Sequence, residues 1–347
     1  MKITKICFFA LLLSLSIVSC SKEDISGADQ PELIAPPPGF GYYVIGYFPN
    51  YRSLSDVQDI KFRMCNVVNY AFFNVNSSGL LTVNNSALAA AVIQKAHANG
   101  AKVMLSINDG AAGNFKNMAA TVSGRKAFVK DVMGKLRGFG FDGVDIDWEF
   151  PSLADDSYIG FAALMKELSD SLHKGARYYL SAAIISGKYA GSREAITNEV
   201  FSYADWFNIM AYDDFTTMAA QQYRHHSDYT LASTCLNYWL GRGMPRSKAV
   251  LGLPAYGRPS GMTQSGTVLS FRTILSQGGS HLSDSAFVTA GGYTNYKIYY
   301  NGQPSIKKKA MLAKNIANGV MLWEMWQDAA DDKSLLKAVC DTVGRSY

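Results

Sequence analysis

From residue 39 onward, apolar and polar positions fall into two alternating patterns. Short runs of β-branched, aromatic and aliphatic residues recur at 43–47, 67–73, 102–107, 143–149, 179–184, 206–212, 249–254 and 319–323, and each predicts a strand. Segments of helical period lie between most of them, at 87–98, 125–138, 158–174, 230–241 and 304–318, with a closing helix predicted over 333–343. Gly100, Gly140, Gly175, Gly243 and Gly319 stand where helices would end in C-caps. Strands alternating with helices imply a parallel sheet, and this length predicts α/β architecture closed as one (β/α)8 TIM barrel. The rival, an open doubly wound sheet, needs a phosphate-binding glycine loop after its first strand. Gly46-Tyr-Phe-Pro-Asn50 is not one.

Composition changes this picture at the N-terminus. Lys2 and Lys5 precede an apolar run over 6–18, too short for a membrane span, which needs roughly 20 residues. The run ends at Ile17-Val-Ser-Cys20, which resembles a bacterial lipobox, and Ser21-Lys-Glu-Asp24 resembles an acidic surface-export signal. The expectation is a signal peptide over 1–19, a lipidated Cys20 and a tether over 20–40 carrying Pro36, Pro37 and Pro38, followed by the barrel over 41–347. The protein would then be an outer-membrane lipoprotein, facing the cell exterior or the periplasm, with the membrane met only through its anchor. Formal charge is +5, and without Lys2 and Lys5 about +3, too little and too scattered to indicate nucleic acid. Cys65, Cys235 and Cys340 are an odd, widely spaced set, so core thiols rather than disulfides or a zinc site are expected.

The strongest chemical signal is Asp142-Gly-Val-Asp145-Ile-Asp147-Trp148-Glu149. At period 2, Asp145, Asp147 and Glu149 share one face and Val144, Ile146 and Trp148 the other. In a barrel the apolar set packs under the helices, while the acidic set points inward and climbs toward the C-terminal mouth, where barrel enzymes keep their chemistry. Asp142 is out of phase and is expected to support the start of the strand. Carboxylates packed this closely cannot all ionise, so at least one keeps a proton near neutral pH. Glu149, the outermost, is best placed to deliver it to a leaving group, which is the logic of glycoside hydrolysis.

This run, followed by Phe150-Pro151, resembles the DxxDxDxE signature of glycoside hydrolase family 18, the chitinases and their relatives. Val44-Ile-Gly-Tyr47, Asn69-Tyr-Ala-Phe72, Met210-Ala-Tyr212-Asp213, Gly252-Leu-Pro-Ala-Tyr256-Gly-Arg258 and Gly319-Val-Met-Leu-Trp323-Glu324 resemble the family's first, second, sixth, seventh and eighth strands. The resemblance implies a retaining, substrate-assisted hydrolase of β-1,4-linked N-acetylglucosamine glycans without metal or organic cofactor. Glu149 would be general acid and base. Asp147 would hold the substrate's acetamido N–H, Asp145 would back Asp147, and Tyr212 would donate to the acetamido oxygen. Trp323 would floor the site and Met210 line it, with Asp213, Tyr47, Phe72, Tyr256 and Arg258 as further sugar-binding residues. His225, His226 and Asp228 are expected in a solvated loop.

The family's third strand ends in SxGG, whereas this one reads Ser106-Ile-Asn108-Asp109. Asp109 is expected to reach into the cleft and alter substrate preference or the acidity of Asp145. The segment from 258 to 304 is short and Gly-rich, implying no full α+β insertion domain, an open cleft and endo, non-processive cleavage by a monomer. Two alternatives stay open: an endo-β-N-acetylglucosaminidase on N-glycans, and a sugar-binding protein without activity. Trp148 favours the chitinase type over the first, and intact Glu149, Asp147 and Tyr212 argue against the second.

Overall fold

The computed structural model describes residues 35–175, 177–215, 224–261 and 266–347. The leader, Cys20 and most of the expected tether lie outside them. Eight strands, Tyr43–Pro49, Val67–Val75, Lys102–Asn108, Gly143–Asp147, Tyr179–Ile185, Trp206–Met210, Ala249–Pro254 and Gly319–Trp323, pair in chain order, all parallel. The first pairs with both the second and the eighth, which closes the expected (β/α)8 barrel. Helices Ser86–Ala98, Val122–Phe139, Ser157–Leu172, Tyr229–Gly241, Gln303–Ile316 and Leu335–Val343 pack outside. Their boundaries follow local chemistry. Thr121 accepts from the Gly124 N–H at 3.0 Å to open one helix, and Gly140, with φ +82°, closes it in the left-handed conformation.

Among the boundaries that differ from those the periodicity predicts, three bear on the barrel and its mouth. Gly319 does not cap a helix; it opens the eighth strand, where a Cβ would lie 2.5 Å from that of Tyr43, so the strand approach itself requires glycine. The fourth strand stops at Asp147 and the sixth at Met210, because the ladder with their neighbours ends there. Glu149 and Tyr212 therefore stand just above the sheet, on the mouth. Among the described residues, the segment between the seventh strand and helix Gln303–Ile316 carries a two-residue strand pair, Tyr256–Gly257 with Leu269–Ser270, a short helix, Phe271–Ser276, and a hairpin, Ser285–Ala290 with Tyr293–Tyr299, in keeping with a reduced insertion.

The barrel is filled from below. Tyr43, Tyr179 and Trp206 occupy inward positions at the N-terminal ends of their strands, and Phe40 packs on all three rings. The Tyr179 hydroxyl donates to the Pro38 carbonyl at 2.8 Å, and the Ala35 N–H donates to the His173 carbonyl at 3.0 Å. Residues 35–40, expected as the end of a tether, thus belong to the barrel. With the bottom plugged by rings, the polar interior can open only upward. Cys65, Cys235 and Cys340 are free, buried thiols, as expected.

Candidate active site

The fourth strand distributes its side chains as period 2 requires. Val144 and Ile146 are fully buried among the helices, and Trp148 stacks on Phe115 with centroids 5.2 Å apart and planes 8° from parallel. Asp145 faces the barrel axis with no exposed surface, and four side chains donate to it. Tyr47 and Ser106 reach Oδ2 at 2.6 and 2.8 Å; Ser181 and Asn208 reach Oδ1 at 2.6 and 3.2 Å. Each donor occupies an inward position of another strand. Burial raises the Asp145 pKa, and these four hydrogen bonds oppose the rise by favouring the charged form. Ser181 and Asn208 are not singled out by sequence. Their signal is a polar residue in inward phase on an otherwise apolar strand, legible once that phase is known.

Asp142 lies at the opposite end. It accepts from Lys102 at 2.8 Å and from the Val103 N–H at 2.8 Å, and sits 2.7 Å from His97 Nε2, so it secures the start of the strand, away from the site.

Above Asp145, Asp147 is 5% exposed, and its Oδ1 has no partner among the described residues. Burial, followed by the charges of Glu149 and Asp145, holds its pKa well above the usual carboxylate range. Glu149 borders the open cleft, yet the surrounding protein raises its pKa too, and the charge of Asp213 adds to this. The three inward carboxyls thus differ in kind. One is saturated with donors, one is buried and partly unpartnered, and one is placed at the opening.

A cavity of about 290 Å³ opens beside Asp147 and Glu149, and Tyr47, Phe72, Met210, Tyr212, Asp213 and Trp323 line it, six of the residues expected to surround the sugar. Phe72 would point away from the axis in a regular strand. A register irregularity between Ala71 and Phe73 turns it inward, where it stacks on Trp323 at 5.7 Å. Tyr47 meets the same indole edge-on at 5.3 Å. Gly252 makes room for Tyr212: a Cβ there would lie 2.9 Å from the phenol ring. Phe150, which follows the acidic run, also lines the cavity, and Ala183, Ile185, Ser186 and Tyr189, which carry no distinguishing mark in the sequence, complete the lining. The peptide bonds Ala71–Phe72, Glu149–Phe150 and Trp323–Glu324 are cis.

Tyr256 and Arg258 stand behind this wall rather than in it. The Tyr256 hydroxyl donates to Asp213 Oδ1 at 2.6 Å and Arg258 Nε donates to the same oxygen at 2.9 Å. Asp213 itself sits at φ +61°, a left-handed conformation that Asp tolerates better than most residues. Burial pushes its pKa up, but His226, Arg258 and Tyr256 outweigh burial, and the carboxyl ends below its usual value. His226 is fully buried against Tyr256, with ring centroids 5.1 Å apart, which corrects the solvated loop expected for it. His225 Nε2 meets the Tyr300 carbonyl at 2.7 Å, and Asp228 caps helix Tyr229–Gly241 by accepting from Leu231 at 2.7 Å. The insertion that ends at Tyr300 meets His225, a contact between distant segments that a local pattern does not reveal.

Asp109 meets its expectation in part. It borders the cleft beside Asp147 and Glu149, but its carboxylate accepts the N–H groups of Gly113 at 2.9 Å and Phe115 at 2.6 Å, fastening the loop into helix Asn114–Ala119 instead of reaching Asp145.

Inward carboxyls at the mouth of a closed barrel, beside an aromatic-floored cavity, are the arrangement that glycoside hydrolysis calls for. Comparison with known proteins makes the class narrower: the model of Glycosyl hydrolases family 18 matches residues 43–328, and the chain belongs to that family. Chitotriosidase-1 of Mus musculus is 26% identical over 313 residues, spanning 77% of this chain and 68% of the mouse protein. The GH18 chitinase ChiB from the chitin utilization locus of Flavobacterium johnsoniae superposes with a TM-score of 0.71 at 25% identity, over 87% of this chain and 94% of that one. The GH18 chitinase of Cycas revoluta in complex with (GlcNAc)3 gives a TM-score of 0.73 at 25% identity, over 86% and 99%. The protein is a chitinase-like hydrolase.

Proposed function

We propose that this hydrolase cleaves β-1,4-linked N-acetylglucosamine glycans with retention, using the substrate's own acetamido oxygen as nucleophile. The observation that carries the proposal is the graded trio. Asp145 accepts four hydrogen bonds, Asp147 above it keeps an unpartnered oxygen, and Glu149 stands at the opening with a raised pKa. In this reading Glu149 protonates the glycosidic oxygen while the acetamido oxygen attacks the anomeric carbon. The C–O bond to the leaving sugar breaks as the ring of an oxazolinium ion forms. Asp147 accepts the acetamido N–H and balances the positive charge, with Asp145 beneath it. Tyr212 donates to the acetamido oxygen, and Trp323 lies under the sugar ring. Glu149, now a carboxylate, takes a proton from water, which opens the oxazolinium and returns the acid. Asp213, fixed by Tyr256 and Arg258, accepts a sugar hydroxyl.

The reduced insertion leaves the cleft open, which supports internal cleavage without processive threading. The bound (GlcNAc)3 named for the Cycas chitinase supports the same sugar here. An acylated Cys20 would hold the barrel at the outer-membrane surface.

The direct test is incubation of the purified protein with chito-oligosaccharides and, separately, with a high-mannose glycopeptide. Shortened N-acetylglucosamine oligomers are expected from the first and no release from the second. Release from the glycopeptide alone would replace the substrate class. A matched oligomer lacking the N-acetyl groups is expected to be cleaved at least about 100-fold more slowly, since the nucleophile is gone. Cleavage at full rate would exclude substrate assistance.

A further inference from the structure

A second cavity, about 340 Å³, shares Asp147 and Glu149 with the first, but its other lining comes from the second and third strands and the loop after the third. The rest of its wall is Asn74, Asn108, Asp109, Gly110, Ala111 and Ala112, with no aromatic ring. Asn108 occupies the inward position at the end of the third strand. Its Cα pairs in register with Asp147 on one side and with Asn74 on the other.

The carboxamides here form a one-way chain. Asn84 Nδ2 donates to the Phe72 carbonyl at 3.2 Å and also to Asn74 Oδ1. Asn74 Nδ2 in turn donates to Asn108 Oδ1, which also accepts from the Gly110 N–H at 3.3 Å. Backbone groups pin both ends, because a carbonyl can only accept and an N–H can only donate. The direction cannot reverse, so Asn108 Nδ2 is the terminal donor, polarised by the bonds behind it. No hydrogen bond joins it to another described residue. Asp109 already accepts two backbone N–H groups, from Gly113 and Phe115. Gly110 holds the wall close: its φ is +30°, and a Cβ would lie 2.8 Å from that of Asn74.

We infer that this cavity receives the sugar on the leaving side of the scissile bond, and that Asn108 Nδ2 donates to a hydroxyl or acetamido oxygen of that sugar. The inference rests on Glu149 as the proton donor. If the reacting sugar fills the aromatic-floored cavity, the sugar joined through the oxygen that Glu149 protonates lies across Glu149, in the polar one. Recognition there runs through the polar edge of a pyranose rather than by stacking on its face. Asn108 is then a specificity residue, and Asn74 and Asn84 position it.

The test compares two substrates that place the same two N-acetylglucosamine units on the reacting side. Chitotriose leaves a sugar, and 4-nitrophenyl diacetylchitobioside leaves a phenol. In Asn108→Ala, kcat/KM for chitotriose is expected to fall about tenfold further than for the aryl glycoside, the loss of one polarised hydrogen bond. Asn74→Ala should shift the same ratio in the same direction by about threefold. A misfolded fraction would lower both rates equally and leave the ratio untouched, so the ratio reads the contact itself. An unchanged ratio in Asn108→Ala overturns the assignment, whether both rates fall together or neither falls. If the wild-type protein releases no nitrophenol and no shortened sugar, the hydrolytic reading fails and the subsite with it. Nitrophenol release combined with an unchanged ratio removes the subsite alone.

Discussion

Glu149→Gln is expected to lower turnover of chito-oligosaccharides at least about 1,000-fold while leaving their binding within about threefold. Gln keeps the shape of the side chain and its ability to accept hydrogen bonds but has no proton to give. General acid catalysis by a positioned side chain contributes about 100- to 10,000-fold. Here the same carboxyl also serves as base in the second step, so the loss falls toward the upper end. The pH profile carries a second mark. Burial and the negative charge of Asp213 raise the Glu149 pKa, so the acid form persists above the usual range for a glutamate. Activity is present where Glu149 is protonated and falls as pH rises through that raised value. The alkaline limb of kcat/KM should therefore lie above the usual Glu value, near about 4.3. A variant that kept a tenth of the activity would remove Glu149 as the acid.

Asp147→Asn is expected to separate activity from stability in opposite directions. Turnover should fall at least about 100-fold, because an amide cannot accept the acetamido N–H as an anion does or balance the oxazolinium charge. Stability at pH 8 should rise. Asp147 is buried, its Oδ1 lacks a partner among the described residues, and burial and the charges of Glu149 and Asp145 raise its pKa well above the usual value. A carboxyl whose folded pKa exceeds its unfolded one binds its proton more tightly in the folded state. Its contribution is complete below the unfolded value, about 3.9, and is lost as pH rises through the folded one. An amide cannot ionise and so avoids that loss. Asp147→Asn should therefore raise the thermal midpoint at pH 8, with the gain shrinking toward pH 4. Melting curves at the two pH values decide it, and a variant destabilised at pH 8 would show that the folded protein stabilises Asp147 in its charged form.

The acidic strand shows how far a local pattern reaches. Alternation of Asp145, Asp147 and Glu149 with Val144, Ile146 and Trp148 is enough to assign inward and outward faces, since side chains alternate across any strand. The same rule puts Met210 on the inner face. It cannot grade the three carboxyls, because the grading comes from Tyr47, Ser106, Ser181 and Asn208, which arrive from four other strands. Phe72 marks another limit: only the irregularity beside Ala71 turns it into the cavity.

What the amino-acid order determined alone is therefore the alternation of strands and helices, the barrel it implies and the strand that carries the acids, each set by periodicity within a few residues. Tertiary structure decided what is long-range. It put Tyr256 and Arg258 behind Asp213, buried His226 against Tyr256, fastened Asp109 to a loop and aimed Asn108 beside Asp147. Those outcomes depend on which groups closure of the barrel brings within hydrogen-bond distance, and separation along the chain carries no record of that.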